Sequence, residues 1–378
     1  HIEKPWGREV WYTGMENRGV SSVRSPSGET DLAYALGLFP LPIMGPHFET
    51  PILLKVLEPL PDSDLGDLYL EVHKEKWEVY VVLSMDAAAW PQGTGAMRAG
   101  LAPDVIENYR ARHGEGWTNA LEADLLAAIR AYQKVRNEID GLLEAVWSKR
   151  GLNPAVPPPL EMRREALADI PASLREREAE QRAAVHRYLG EVPLGVGDVV
   201  RLPPGNLHSL LHGVRVVEFQ TPTYERLIAM FGQKVLTQPH WDSEEALGLM
   251  DKQPYTPPAQ EAFTSEAGQG VERIVDFPQF QVHRITLEQG VQAPGVVGRE
   301  GCYQLLFVTA GRGRLVDAAD SETVLAEGEA YLLPATLGNY VMHAGEGAGL
   351  AYLISWPLAD TAGETPKTPK TPNTGESY

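Results

Sequence analysis

Glu71, His73 and Glu78 stand at the spacing E-x-H-x4-E, and His208 closes a run, 197–208, with the pattern G-x5-P-x-G-x2-H. Two carboxylates and two imidazoles are a sufficient donor set for one divalent cation. On a β-strand, residues i and i+2 point the same way, so Glu71 and His73 can reach one ion side by side. A hairpin turn through Lys74, Glu75 and Lys76 is expected to bring Glu78 back to the same wall. In the second run Pro203 and Gly205 shape a turn that aims His208 inward. A mixed nitrogen and oxygen set suits zinc first, with manganese, iron, nickel and cobalt left open. Either motif alone is weak, because two polar residues on one strand face are ordinarily a solvated face. Their occurrence in order, each on an apolar strand, raises a shared metal site above that reading.

Such ligands need strands to hold them. Residues 1–90 look β-rich: 6–12 alternate bulky and polar side chains, 51–57 read as a half-buried strand, and 68–83 as a hairpin. Over 103–190 Ala, Glu, Arg and Leu dominate, and apolar residues recur at helical spacing in 119–148 and 161–189, separated by a proline-rich breaker at 153–159. Residues 1–102 and 191–232 are therefore expected to form a metal-binding barrel interrupted by a helical insertion, 103–190. A connector over 233–270, a second barrel over 271–357 and a disordered tail over 358–378 complete the division. The second unit repeats the first in outline: 328–334 keeps the G-x5-P spacing of 197–203, but Asn339 stands where His208 would, and 303–308 carries no E-x-H. That barrel is expected to hold no metal. The fold class expected is mainly β, two jelly-roll barrels plus an α-helical insertion.

A chain of 378 residues can bury two sizeable cores. The formal net charge of −18 argues against non-specific binding to nucleic acid or an anionic membrane. No apolar run approaches the length of a bilayer span, and no secretory leader is visible. The single cysteine, Cys302, cannot form an intrachain disulfide and fits a reducing cytoplasm. An anionic substrate would need a locally basic pocket, and Lys55, Lys74, Lys76 and Arg226 are the residues that could make one.

Taken in order, these segments resemble the type I mannose-6-phosphate isomerases, two-cupin zinc enzymes with a helical insertion, over roughly residues 4–357. Lys4-Pro5-Trp6-Gly7 is similar to the family's opening, and 53–57 resembles its strand bearing the lysine, here Lys55, that lines the sugar-phosphate pocket. Leu70-Glu71-Val72-His73 takes the place of the Q-x-H metal strand, and Lys76-Trp77-Glu78 that of the K-x-E strand. There the resemblance implies a metal-binding Glu78 and a substrate-facing Lys76, with His208 as fourth ligand. Glu218 and Arg226 fall where the family has a pocket glutamate and an arginine essential to catalysis. Trp6 is a candidate substrate contact. Four departures stand out. Glu71 replaces the usual Gln, Tyr69 replaces a small serine that seats the phosphate, the loop from His73 to Glu78 is shorter than the family's, and the family's aspartate before the arginine, which the resemblance ties to proton transfer, is missing, with Glu225 the candidate to stand in for it.

The chemistry implied is aldose–ketose isomerisation of mannose 6-phosphate and fructose 6-phosphate. A proton moves between adjacent carbons while an enediolate oxygen gains charge, which a divalent ion and Arg226 could stabilise. Either Lys76 or Glu218 could carry the proton. The alternatives are an isomerase of another, unphosphorylated sugar, a non-catalytic sugar-binding cupin and, as a weaker match, a cupin oxygenase.

Overall fold

The computed structural model describes residues 1–16, 19–47, 51–153, 156–257, 261–263, 268–296 and 301–358. All of the expected tail except Leu358 lies outside them.

Strands covered on both faces lose the alternation of apolar and polar residues, and the centre of this molecule is built from such strands. Six strands pair in the order Ile2–Lys4, Gly7–Trp11, Leu53–Pro59, Val214–Gln220, Glu78–Met85 and Val199–Leu202. Along them one set of side chains, Leu57, Tyr80, Val82 and Val216 among them, points into the N-terminal barrel. The alternate set, including Leu54, Val56, Val79, Val81, Val217 and Phe219, packs against Ile274, Phe280, Tyr303 and Phe307 of the second barrel. The strand containing Lys55 is therefore buried through its first five residues, rather than half-buried.

A five-stranded sheet, ordered Leu189–Leu194, Gly95–Leu101, His208–Leu210, Leu70–Val72 and Leu227–Met230, closes the other side of the N-terminal barrel. Its outer face, with Leu70, Val72, Leu101 and Ala229, is covered by Leu121, Leu125, Ile129 and Tyr132 of the helix Trp117–Lys149. That i, i+4, i+8, i+11 spacing is the apolar stripe of an amphipathic helix. Shorter helices, Pro103–His113, Leu160–Ala168 and Ala172–His186, complete the insertion. The insertion leaves and rejoins the barrel through Gly95–Leu101 and Leu189–Leu194, which are antiparallel neighbours with Leu101 opposite Leu189. Its two ends therefore meet, and a long excursion is accommodated there without parting the sheet.

The second barrel is one curled nine-stranded sheet. Its long strand Gln304–Asp317 pairs with Leu350–Pro357 and Ala330–Leu333 over the first half and with Tyr340–Ala344 and Glu322–Ala326 over the second. Two features echo the first barrel. Gly197 and Gly328 both adopt positive φ, 91° and 81°, at the turn entering Val199–Leu202 and Ala330–Leu333. Asn339 immediately precedes the strand Tyr340–Ala344, as His208 opens His208–Leu210.

Three expectations are corrected. Residues 68–83 do not form a hairpin, because Leu70–Val72 and Glu78–Met85 lie in different sheets and the chain between them crosses the barrel end. The expected connector carries a helix, Ser243–Leu249, and strands Glu261–Phe263 and Gln269–Asp276, so the second sheet begins before residue 271. Within 1–90, the short helices Leu32–Leu38 and Pro40–Met44 interrupt the strands; at five to seven residues they show little periodicity.

Candidate metal centre and cavity

The barrel interior is apolar at one end and charged at the other, and the change follows strand register. His208 lies directly opposite Glu71 on the neighbouring strand. His73, two residues after Glu71, continues the same face. Donor atoms of Glu71, His73 and His208 lie within 4.8 Å of one another, and all three residues are buried. From the facing sheet Glu78 extends Oε2 to 3.3 Å from His73 Nε2 and 3.4 Å from His208 Nε2. Glu71 Oε1 is 4.0 Å from His73 Nε2. The four residues of the two sequence motifs thus converge, drawn from both sheets.

The imidazoles are oriented by the backbone. His73 Nδ1 lies 3.0 Å from the carbonyl oxygen of Glu225, and His208 Nδ1 2.9 Å from that of Asn206. A carbonyl only accepts, so each Nδ1 carries the hydrogen and each ring turns its Nε2 inward, where the neutral form of the imidazole presents a lone pair. Both Nε2 atoms, with Glu71 Oε2, are buried without a hydrogen-bond partner. Lone pairs facing a carboxylate in a dry interior repel unless a proton or cation sits between them. Burial disfavours a charge on His208, yet Glu78 and Glu71 raise its pKa; burial lowers that of His73. Burial also opposes ionisation of Glu78, but the Lys76 ammonium and His73 hold it well below the usual carboxylate range. The donor set, two imidazole nitrogens and carboxylate oxygens, fits a divalent cation.

Cations and aromatic rings surround these groups. Lys76 Nζ is 2.5 Å from Glu78 Oε1, and Tyr80 donates its hydroxyl to Glu78 Oε2 at 3.4 Å. Lys55 and Glu218, opposite each other on paired strands, form a buried ion pair at 3.1 Å. Burial lifts the Glu218 pKa well above its ordinary value, against the pull of Lys55, and the nearby Glu78 adds to the rise. A cavity of about 560 Å³ opens beside the cluster, lined by Lys4, Lys55, Lys76, Arg226, Trp11 and Tyr69 among others. Lys55 Nζ lies 5.2 Å from the Trp11 ring centroid, and the Arg226 guanidinium 4.5 Å from that of Tyr69. Arg226 donates to Thr237 Oγ1 at 2.8 Å. Burial raises the Tyr69 hydroxyl to a pKa of about 12.

The structure distributes the sequence candidates unevenly. Lys55, Tyr69, Lys76 and Arg226 line the cavity; Glu218 is sealed beneath Lys55, away from it. Trp6 is packed into the barrel core, and Trp11 presents a ring to the cavity instead. Lys74 points away and pairs with Glu245, while Lys4, paired with Glu9 at 3.2 Å, joins the basic wall. Glu225 does not pair with Arg226; its Oε1 accepts the backbone N–H groups of Glu75 and Lys76 at 2.9 and 3.2 Å. Trp11 reads in the sequence as a packing residue, and neither Tyr80 nor Gln220 is singled out there for a role. An alternating strand gives no sign of which polar position meets a ligand.

Solved structures with this architecture are informative. The mannose 6-phosphate isomerase of Bacillus subtilis superposes with a TM-score of 0.57 over 92% of this chain and 88% of its own, at 14% identity. A point variant of the phosphomannose isomerase of Salmonella typhimurium gives a TM-score of 0.57 over 93% and 91%, again at 14% identity. The chain has the fold of these isomerases. No family model matches the sequence, and no curated protein matches it. At this identity the likeness bears on fold alone. Among the described residues no helix is long and apolar enough to cross a membrane.

Proposed function

We propose that this chain is a metal-dependent aldose–ketose isomerase of the type I mannose-6-phosphate isomerase kind, interconverting mannose 6-phosphate and fructose 6-phosphate. The observation that carries the reading is the pair of inward Nε2 lone pairs of His73 and His208, met by Glu78 Oε2 beside a basic cavity. Glu71, His73, Glu78 and His208 would hold the ion, with zinc the best match to the donor set. A divalent cation there supplies Lewis-acid stabilisation to oxygen that gains charge as a proton moves between adjacent carbons.

The chain's own groups would do the rest. Of the four cations named on the cavity wall, Lys4, Lys55 and Lys76 each have a carboxylate partner, and Arg226 has none among the described residues. Its guanidinium is thus available for substrate anion, either the phosphate or the developing enediolate. Lys76 is favoured over Glu218 for the proton, because Lys76 reaches the cavity and Glu218 lies behind Lys55. Trp11, stacked on Tyr224 at 6.0 Å between centroids, offers an apolar face to a sugar ring. One observation favours a second substrate: Tyr69 and Arg226 lie against each other in the corner where the resemblance calls for a serine that seats the phosphate. That packing suits a sugar without phosphate.

The test is elemental analysis of purified protein, followed by isomerase assays on mannose 6-phosphate and on mannose with the metal-loaded form. Bound metal with turnover of the phosphorylated sugar is expected. Turnover of mannose alone would transfer the proposal to the second substrate, and metal without turnover of either would leave a binding protein.

A further inference from the structure

The barrel end that holds the proposed metal is crossed by two loops running side by side. One, residues 73–77, leads from the five-stranded to the six-stranded sheet and carries His73 and Lys76; the other, 221–226, runs in the opposite sense and carries Glu225 and Arg226. Trp77 and Thr221 zip them at one point, through Trp77 N–H to Thr221 Oγ1 and Thr221 N–H to the Trp77 carbonyl, both at 3.1 Å. At the other end a single residue makes every cross-link. The Glu225 carbonyl accepts from His73 Nδ1, and the Glu225 carboxylate accepts the N–H groups of Glu75 and Lys76. Backbone donors in a tight turn have few alternatives, and a carboxylate oxygen accepting two of them holds both ends of the turn at once.

We infer that Glu225 is a positioning residue for the metal centre: its carboxylate clamps the 73–77 loop so that His73 and Glu78, from opposite sheets, meet at ligand distance. The inference rests on the metal site proposed above. It also replaces the proton-transfer role that sequence position suggested for Glu225. The feature that matters is an acceptor oxygen at the right reach, and negative charge is incidental. Three variants separate these attributes. Glu225→Gln keeps the acceptor and reach and loses the charge; Glu225→Asp keeps the charge and withdraws the oxygen by one methylene; Glu225→Ala removes both.

Cobalt(II) titration of metal-free protein, followed by its visible ligand-field bands, reads the site without an enzymatic assay. The Ala and Asp variants should bind cobalt about 10- to 100-fold more weakly than the unaltered protein, the usual effect of removing a group that orients a ligand. Their band positions should shift, and the amides of Glu75 and Lys76 should exchange hydrogen faster. The Gln variant should match the parent in all three. Equal weakening in Gln and Ala would overturn the inference in favour of a charge effect, and undiminished affinity in Ala and Asp would overturn it outright. If the parent protein takes up no cobalt, the metal reading falls and this inference with it. A thermal melt of each variant identifies any that fails to fold, and the remaining two still decide between reach and charge.

Discussion

Arg226 is the cavity cation without a carboxylate partner among the described residues, whereas Lys4, Lys55 and Lys76 each have one, so the proposed function places substrate charge beside it. Arg226→Ala should lower kcat/KM on the sugar phosphate by about 100- to 1000-fold, as expected for loss of a preorganised donor to developing charge, and leave metal content unchanged by elemental analysis. Loss of bound metal instead would give Arg226 a structural part. The Lys55–Glu218 pair behaves differently because Glu218 is fully buried and Lys55 separates it from the cavity. Lys55→Met strands a carboxylate in the barrel wall and should cost about 3–5 kcal/mol in urea denaturation, less whatever Glu218 recovers by taking up a proton. Removing both charges together, Lys55→Met with Glu218→Gln, should restore much of that loss.

Turns decide whether the strands carrying Glu71, Glu78 and His208 point these side chains at one another. Gly205, at φ 84°, donates its N–H to the His73 carbonyl at 2.8 Å and so joins the approach to His208 to the strand of Glu71 and His73. No neighbouring atom lies closer than 3.7 Å to the place a Cβ would occupy, so Gly205→Ala meets strain in the backbone and no steric contact. It should destabilise by about 1–2 kcal/mol in chemical denaturation and weaken metal binding with it. The long helix Trp117–Lys149 acts over a larger area. Leu125 and Ile129 are fully buried on the outer face of the sheet that carries His208. Truncating either to Ala should cost about 2–5 kcal/mol, read from the melting curve.

The molecule as a whole is a stack of layers: helices, five-stranded sheet, six-stranded sheet, second barrel. Phe219, Val79 and Val217 lie on a face that the second barrel packs against, so a chain ended at residue 257 should expose much of that face and collect in the insoluble fraction. The layers also trap His186, packed at the end of Ala172–His186 among Arg98, Asp67 and Arg182. Burial first, then the two arginines, push its pKa from 6.5 down to about 3, with Asp67 opposing. Between those values the unfolded chain binds the proton and the folded chain does not. Its stabilising contribution is therefore complete above about pH 6.5 and falls as the pH drops, by about 2 kcal/mol at pH 5. His186→Gln should flatten the melting temperature between pH 7 and pH 5 relative to the parent protein.

The convergence of Glu71, His73 and His208 was legible in the sequence because the direction of each side chain depends on local geometry. The i, i+2 relation of Glu71 and His73 and the Pro203–Gly205 turn before His208 are properties of a few adjacent residues. The helical insertion was legible for the same reason, since 3.6-residue periodicity needs no partner to be seen. Which strands would pair was not. The polar stretch after His73 reads equally as a hairpin turn and as a crossing between sheets, and only the packing of two complete sheets makes it the latter. Trp6 and Trp11 differ by five positions and by nothing in type, yet one fills the core and the other faces the cavity. Glu225 showed as a carboxylate near an arginine, and its bonds run to residues about 150 positions away. Sequence alone determined which chemical groups this protein owns and the local direction of each. Tertiary structure decided which of them meet, because strand pairing and burial are set by the summed contacts of distant segments.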